Sequence, residues 1–102
     1  MNSTVHAAGH RIEISDGRVL VDGAPRRVSP AGLATLCALA RNPGTVVGRG
    51  TLLQSLPGGG RNAHAVESAV LRLRTALGDK GIVATVVKRG YRLAVDEHPG
   101  AA

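Results

Sequence analysis

The longest regular pattern in the chain is a stripe of apolar residues, Val66, Val70, Leu73 and Leu77, recurring at steps of four, three and four. That spacing is one buried face of an α-helix and predicts a helix over 63–77, with Gly78 as its C-cap. The period then changes at once. Ile82–Val87 and Tyr91–Val95 are β-rich runs flanking Lys88-Arg89-Gly90, which predicts a hairpin over 82–95 with a positively charged tip. In its second arm Tyr91, Leu93 and Val95 share one face and Arg92 points away. Because the stripe pins the helix from one side, the side carrying His64, Glu67, Ser68, Leu71, Arg72, Arg74 and Thr75 is free to face something else.

Upstream, Asp16-Gly17 and Asp22-Gly23 are turn signals that separate three short strand-like pieces, Arg11–Ile14, Arg18–Val21 and Pro25–Val28. They form a small antiparallel meander whose strands are too short to stand without a covering layer. Ser29-Pro30 opens a helix, with serine at the N-cap and proline where its missing N–H costs nothing. This helix is expected to run to about Arg41, burying Leu33, Leu36, Cys37, Leu39 and Ala40, and to stop at Asn42-Pro43-Gly44. Thr45–Val47 supplies one brief extended stretch, Gly48–Leu56 a second short helix on Leu52, Leu53 and Leu56, and Pro57–Gly60 a flexible loop. The order is strands, helix, helix, helix, hairpin: an α+β fold with an N-terminal antiparallel sheet, three helices and a C-terminal β-hairpin.

With 102 residues there is room for one domain, and with Tyr91 as the single aromatic its core must be filled by Leu, Val, Ile and Ala. Large enclosed substrate pockets are not expected. Residues 1–10 and 96–102 are rich in small and polar residues, so both ends are expected to be frayed tails around a domain spanning 11–95. Cys37 lies in an apolar run and reads as a small buried hydrophobe, and a lone cysteine gives no intramolecular disulfide. No window approaches 18 apolar residues, and the N-terminus lacks the basic and apolar segments of a secretory signal, so a cytoplasmic protein is the default.

Catalytic chemistry finds little material. His6, His10, His64 and His98 are dispersed, and no Cys/His pair or zinc cluster follows from their spacing. His64, at a helix start, reads as a surface residue. Gly58-Gly59-Gly60 lacks the lysine and hydroxyl residue of a phosphate-binding loop. No catalytic residue, metal or cofactor is implied, and membrane-surface binding would want exposed anchors from a chain whose leucines are needed inside.

Charge points elsewhere. The chain carries 13 Lys and Arg against 7 Asp and Glu, and residues 49–92 hold eight of those bases against only Glu67 and Asp79. Such a concentration suits a polyanion. Three helices and a hairpin, with bases on the last helix and on the hairpin tip, form a winged helix-turn-helix, in which the helix enters the major groove and the hairpin reaches phosphates or the minor groove. A small adaptor domain, the plainer alternative, would not need Lys88 and Arg89 at a hairpin tip. Duplex DNA is therefore the expected partner.

Read together, Val28-Ser29-Pro30, Asn42–Val47, Val66–Val70 followed by Arg72-Leu73-Arg74 and Ala76-Leu77, and Thr85–Arg92 resemble the OmpR/PhoB-type winged-helix output domains of bacterial response regulators, over Ile12–Val95. The resemblance implies a four-stranded N-terminal platform made of the three opening strands plus Thr45–Val47. It makes 63–77 the recognition helix and 82–95 the wing. His64 and Ala65 match a pair that meets phosphates in the family, Glu67 and Ser68 an acidic-apolar pair, and Arg72 and Arg74 a basic step. Arg72 is the leading base or phosphate contact; Arg74 is either a DNA contact or an intramolecular ion-pair partner. Arg61 joins His64, Lys88 and Arg89 as a backbone contact.

Departures from the family pattern matter too. Ala69 replaces a frequent histidine and Leu71 a frequent polar or basic residue on what is expected to be the groove-facing surface, while Val87 stands where arginine is common. Leu71 suits either a thymine methyl or the cover of an attached partner domain. The glycine-rich loop Pro57–Gly60 corresponds to a segment that touches RNA polymerase in some members. With only ten residues ahead of the first strand, the chain reads as an isolated output domain, a monomer that pairs on DNA: either a single-domain regulator or one whose further N-terminal domain belongs to a longer polypeptide. The run from Val66 to Val95 also resembles winged domains appended to uroporphyrinogen-III-synthase-like proteins, which leaves a protein-contact or regulatory role beside such an enzyme as the alternative.

Overall fold

The computed structural model describes residues 2–59 and 64–96 of the chain. Three two-residue turns build its first half. Ala8-Gly9, Asp16-Gly17 and Asp22-Gly23 have positive φ at both positions, the backbone of hairpin turns whose twist matches that of the strands they join. They link β1 (Asn2–Ala7), β2 (His10–Ser15), β3 (Arg18–Val21) and β4 (Ala24–Arg26) into an antiparallel sheet in that order. Strand alternation places Val5, Ala7, Ile12, Ile14, Val19 and Val21 on its buried face.

The first strand corrects the expectation of a frayed N-terminus. Residues 2–7 pair along their whole length with β2, from Asn2 opposite Ser15 to Ala7 opposite His10. Much of what fixes the strand is remote in sequence: the Ala8 N–H donates to the Ala94 carbonyl at 3.0 Å and the Asp96 N–H to the His6 carbonyl at 2.9 Å. The Gly9 N–H meets both carboxylate oxygens of Asp96 at 3.1 Å. Asp96 is thus tied in rather than the start of a frayed tail; residues 97–102 lie outside the described residues.

Thr45–Val47 is likewise not the fourth strand of the platform, a place taken by β1. The Val47 N–H donates to the Tyr91 carbonyl at 2.8 Å and the Tyr91 N–H returns a bond to the Val47 carbonyl at 3.1 Å, so this stretch flanks the C-terminal hairpin instead.

The three helices start and stop close to where the punctuation places them. In α1 (Pro30–Ala40) the Ser29 hydroxyl oxygen accepts the Gly32 N–H at 3.1 Å. Leu36 and Leu39 are buried, but Leu33, Cys37 and Ala40 are only half-buried, their expected places being taken by Gly32, Thr35 and Ala38. The helix is apolar on nearly every side, so apolar spacing alone cannot choose its inward face. Buried Thr35 satisfies itself by donating to the Ala31 carbonyl at 2.9 Å. A short helix, α2 (Arg49–Ser55), buries Leu52, and one 3-10 turn, Pro57–Gly59, follows. The last helix, α3 (His64–Leu77), buries Val66, Ala69, Val70, Leu73 and Leu77. Expected Ala63 at its start lies outside the described residues.

The hairpin is formed by β5 (Val83–Val86) and β6 (Gly90–Leu93), with Val83 opposite Leu93 and Val86 opposite Gly90. Gly90 has φ +144°, and a Cβ there would sit 2.1 Å from the Val47 carbonyl oxygen. Only glycine lets the hairpin and the 45–47 stretch approach this closely.

One polar tie joins the sheet to the segment after α3. The His10 ring lies between two carboxylates, Nδ1 at 2.6 Å from Asp22 Oδ2 and Nε2 at 2.9 Å from Asp79 Oδ2. Both bonds together require both ring N–H groups, hence the imidazolium. The bonds to Asp22 and then Asp79 raise the His10 pKa above its ordinary 6.5. Asp22 is lowered from 3.8, first by His10 and then by the Arg11 N–H. Asp79 is lowered from 3.8, first by the Gly81 N–H and then by His10.

The pH dependence follows from these directions. The stability contributed by His10 is whole below pH 6.5 and is lost as the pH rises through its raised pKa, while that of the aspartates is present above 3.8 and is lost as the pH falls through their depressed values. The difference in Tm between wild type and His10→Ala is therefore expected to be greatest between those limits and to shrink on both sides. Thermal unfolding followed by circular dichroism over a pH series checks this; a difference that ignores pH contradicts the tie.

Candidate nucleic-acid interface

The buried stripe fixes the rotation of α3 about its axis. With Val70 and Leu73 fully buried, His64, Ser68, Leu71, Arg72 and Thr75 are exposed on the opposite side, Leu71 to 63%. Arg72 makes no hydrogen bond or ion pair among the described residues, so its guanidinium keeps all its donors for an outside acceptor. Thr75 donates its hydroxyl proton to the Leu71 carbonyl at 3.1 Å and keeps only acceptor capacity. Ala69, expected on this outward surface, is instead 2% exposed and packs into the core, because it falls beside Val66, Val70 and Leu73 on the helical wheel. Leu71 and Ala69 therefore do not form an exposed apolar surface together.

Two of the expected site residues turn inward or sideways. Glu67 is half-buried, its Oε1 3.4 Å from the Arg49 guanidinium, and its Oε2 is buried without a partner among the described residues. Arg74 makes no ion pair among the described residues, the intramolecular contact expected of it. Its Nε and Nη2 donate to the Val83 carbonyl at 3.0 and 2.7 Å, and Nη2 reaches the Thr85 hydroxyl at 2.8 Å. Its guanidinium also lies 5.9 Å from the centre of the Tyr91 ring. Arg74 therefore fastens the first arm of the hairpin to α3.

The hairpin tip presents Val87, 77% exposed, together with exposed Lys88 and Arg89. Lys88 takes φ +64° and the Arg89 N–H closes the turn on the Val86 carbonyl at 2.9 Å. Arg61 lies outside the described residues.

Two arginines not singled out from the sequence join this side of the molecule. Arg49 packs 5.8 Å from the Tyr91 ring centre and pairs with Glu67, linking α2, α3 and β6. Its sequence signal is a base at the first position of a helix, where it works against the helix dipole. Arg27 lines a groove of about 460 Å³ with Ser29, Leu71, Arg72, Thr75 and Ala76. Nothing local marks it, since the groove arises only when the segment before α1 meets α3. Among the described residues no group of three His, Cys, Asp or Glu side chains could hold a metal ion, and no helix is long and apolar enough to cross a membrane.

A half-exposed third helix beside a hairpin with a basic turn, all carried on an antiparallel platform, defines a winged helix-turn-helix domain. Residues 23–93 match the family described as transcriptional regulatory protein, C terminal, and the chain belongs to that family, the OmpR/PhoB-type effector domains. The family is one of transcription regulators and not of enzymes.

Among solved structures the chain is similar to the DNA-binding domain of RstA from Klebsiella pneumoniae in complex with the RstA box, with a TM-score of 0.71, 26% identity, and coverage of 90% of this chain and 97% of that one. It is also similar to the DNA-binding domain of CpxR from E. coli, with a TM-score of 0.74, 26% identity, and coverage of 91% and 95%. The AdeR DNA-binding domain, in complex with an intercistronic region, shares the fold at a TM-score of 0.74 and 23% identity over 83% of this chain and 95% of that one. No curated protein matches the chain in sequence. These likenesses carry the resemblance to response-regulator output domains and lend nothing to the one with uroporphyrinogen-III-synthase-like proteins.

Because Arg74 holds β5 through charge-assisted bonds, Arg74→Ala is expected to destabilise the domain by about 1.5–3 kcal/mol. Arg74→Lys should recover only part of this, since an ammonium cannot span the Val83 carbonyl and the Thr85 hydroxyl as the guanidinium fork does. Urea unfolding of the three proteins measures both.

Proposed function

We propose that the chain binds duplex DNA with a sequence preference, as the output domain of a bacterial transcriptional regulator working in the cytoplasm. The observation that carries this reading is the division of α3: one side is buried through Val66, Val70, Leu73 and Leu77, and the other offers Ser68, Leu71, Arg72 and Thr75 to solvent. The hairpin fastened to it by Arg74 ends in Lys88 and Arg89. The likeness to RstA and CpxR DNA-binding domains supports the same partner.

The mechanism is non-covalent and has no catalytic step. Arg61, His64, Lys88 and Arg89 meet the phosphate backbone and set affinity, while Arg72, with Ser68, Leu71 and Thr75, faces base edges and sets preference. Glu67 orients Arg49, and Arg74 holds the wing at its angle to the helix.

Fluorescence anisotropy of the chain with duplex DNA over a range of salt tests this. Affinity should fall steeply with salt. Lys88→Ala with Arg89→Ala should weaken binding to every duplex and flatten the slope of log affinity against log salt by about 1.8, at about 0.9 for each phosphate that the wing no longer neutralises. Equal slopes would remove the wing from the interface. No binding even at low salt would leave the fold as a module for protein contact.

Arg72→Ala is expected to reduce the ratio of specific to random-site affinity by about 1–3 kcal/mol, the worth of a bidentate contact to a base. An unchanged ratio would place Arg72 on phosphates alone.

A further inference from the structure

We infer that Leu71 reads the C5-methyl group of a thymine in the major groove, an inference that rests on the proposed binding to duplex DNA and goes beyond it to the base recognised. Leu71 is 63% exposed in the middle of the outward face of α3, a position at which leaving a leucine in water forgoes its burial. It lines the groove of about 460 Å³ in which, among the described residues, Arg27 and Arg72 are the only charged ones and no carboxylate takes part.

Two occupants suit an exposed leucine: the apolar surface of another protein domain, or an apolar group on DNA. The groove decides between them. An apolar protein surface laid over Leu71 would take the Arg27 and Arg72 guanidiniums out of water without partners, at a cost well above the gain from one leucine. A DNA edge presents phosphates to both arginines and, in its major groove, a single kind of apolar group, the thymine methyl. The neighbours narrow the choice further. The Thr75 hydroxyl donates to the Leu71 carbonyl at 3.1 Å, which turns its acceptor side toward a base. Arg72 is a donor suited to guanine or phosphate. Methyl contact is the discrimination that Leu71 itself can make, beside the polar contacts open to Ser68, Arg72 and Thr75.

Thymine and deoxyuridine differ only by that methyl group, which makes the test direct. Duplexes favoured by the full 102-residue chain are selected from a random-sequence pool, and the best is resynthesised with deoxyuridine replacing each thymine in turn. At one position the replacement is expected to weaken binding about threefold to fivefold, the worth of one methyl-sized apolar contact. Leu71→Ala should bind the thymine and deoxyuridine forms at that position equally, and Ala substitution at an exposed helical site is compatible with folding, which circular dichroism verifies. Selection without any preferred sequence, thymines that can all be replaced with no change in affinity, or a Leu71→Ala protein that still discriminates would each overturn the assignment while leaving duplex binding intact. Absence of binding to any duplex at low salt would instead bring down the underlying function.

Discussion

Everything that this domain offers to a partner depends on how α3 is seated. Val70 and Leu73 are fully buried, and α1 packs against the same side of the helix. A helix held at two positions three residues apart cannot rotate about its axis without pulling leucine-sized groups out of the core, at about 2–5 kcal/mol for each. That constraint, and not any property of the outward residues, determines that Ser68, Leu71, Arg72 and Thr75 face solvent. It also explains why Ala69 does not: a small side chain between Val66 and Val70 fits the helix contact, whereas a larger polar one would have to be accommodated there. Core packing thus selects which residues are available for recognition.

The wing is positioned by a different kind of force. Its strands are four residues each, too short for a free hairpin to hold an orientation. Polar ties supply what length does not. Arg74 binds β5 from α3, Val47 pairs with Tyr91 on the other edge, and the Arg49 and Arg74 guanidiniums both lie near the Tyr91 ring. Farther back, Ala94 and Asp96 run into the first sheet at Ala8, Gly9 and His6, and the His10 imidazolium bridges Asp22 and Asp79. The sheet is therefore the anchor to which both ends of the α3–hairpin unit are moored. Each of these contacts joins residues far apart in sequence.

That difference in range accounts for what could be read from the residues alone. Helix limits were legible because their causes are local: the Ser29 cap, the Asn42-Pro43-Gly44 stop, the Gly78 terminus and the stripe from Val66 to Leu77 each act within a turn or two. The Asp-Gly turns were legible for the same reason. Ala8-Gly9 adopts the same backbone without an Asp or Asn to announce it, so from sequence β1 reads as a tail. Thr45–Val47 carries an extended pattern but no indication of which sheet it joins, and the crossing at Gly90 that settles the matter is a tertiary contact. Within the site, the exposure of His64, Ser68, Leu71, Arg72 and Thr75 and of the basic tip followed from periodicity and charge, whereas Glu67 and Arg74, expected beside them, are half-buried. Arg27 and the bonds of Arg74 to β5 did not, because both depend on where other segments lie.

The outward face of α3 is poor in hydrogen-bond donors, and this shapes how such a domain would achieve selectivity. Ala69 is buried, the Thr75 hydroxyl donates within the helix, and Leu71 offers apolar surface, so the donors this face presents among the described residues are His64 at the helix start, Arg72 and the Ser68 hydroxyl. A few contacts worth about 1–3 kcal/mol each separate preferred from random sequence only modestly. On the proposed reading the charged wing would add affinity that is blind to sequence and so would not widen the gap. Weak discrimination per domain multiplies when two domains occupy adjacent half-sites, because the differences add as free energies while the second association becomes effectively intramolecular. On the proposed reading, a surface divided between Lys88 and Arg89 on the wing and Arg72 and Leu71 on the helix would be matched to paired sites. In such an arrangement the spacing of two short motifs carries as much information as the bases within either one.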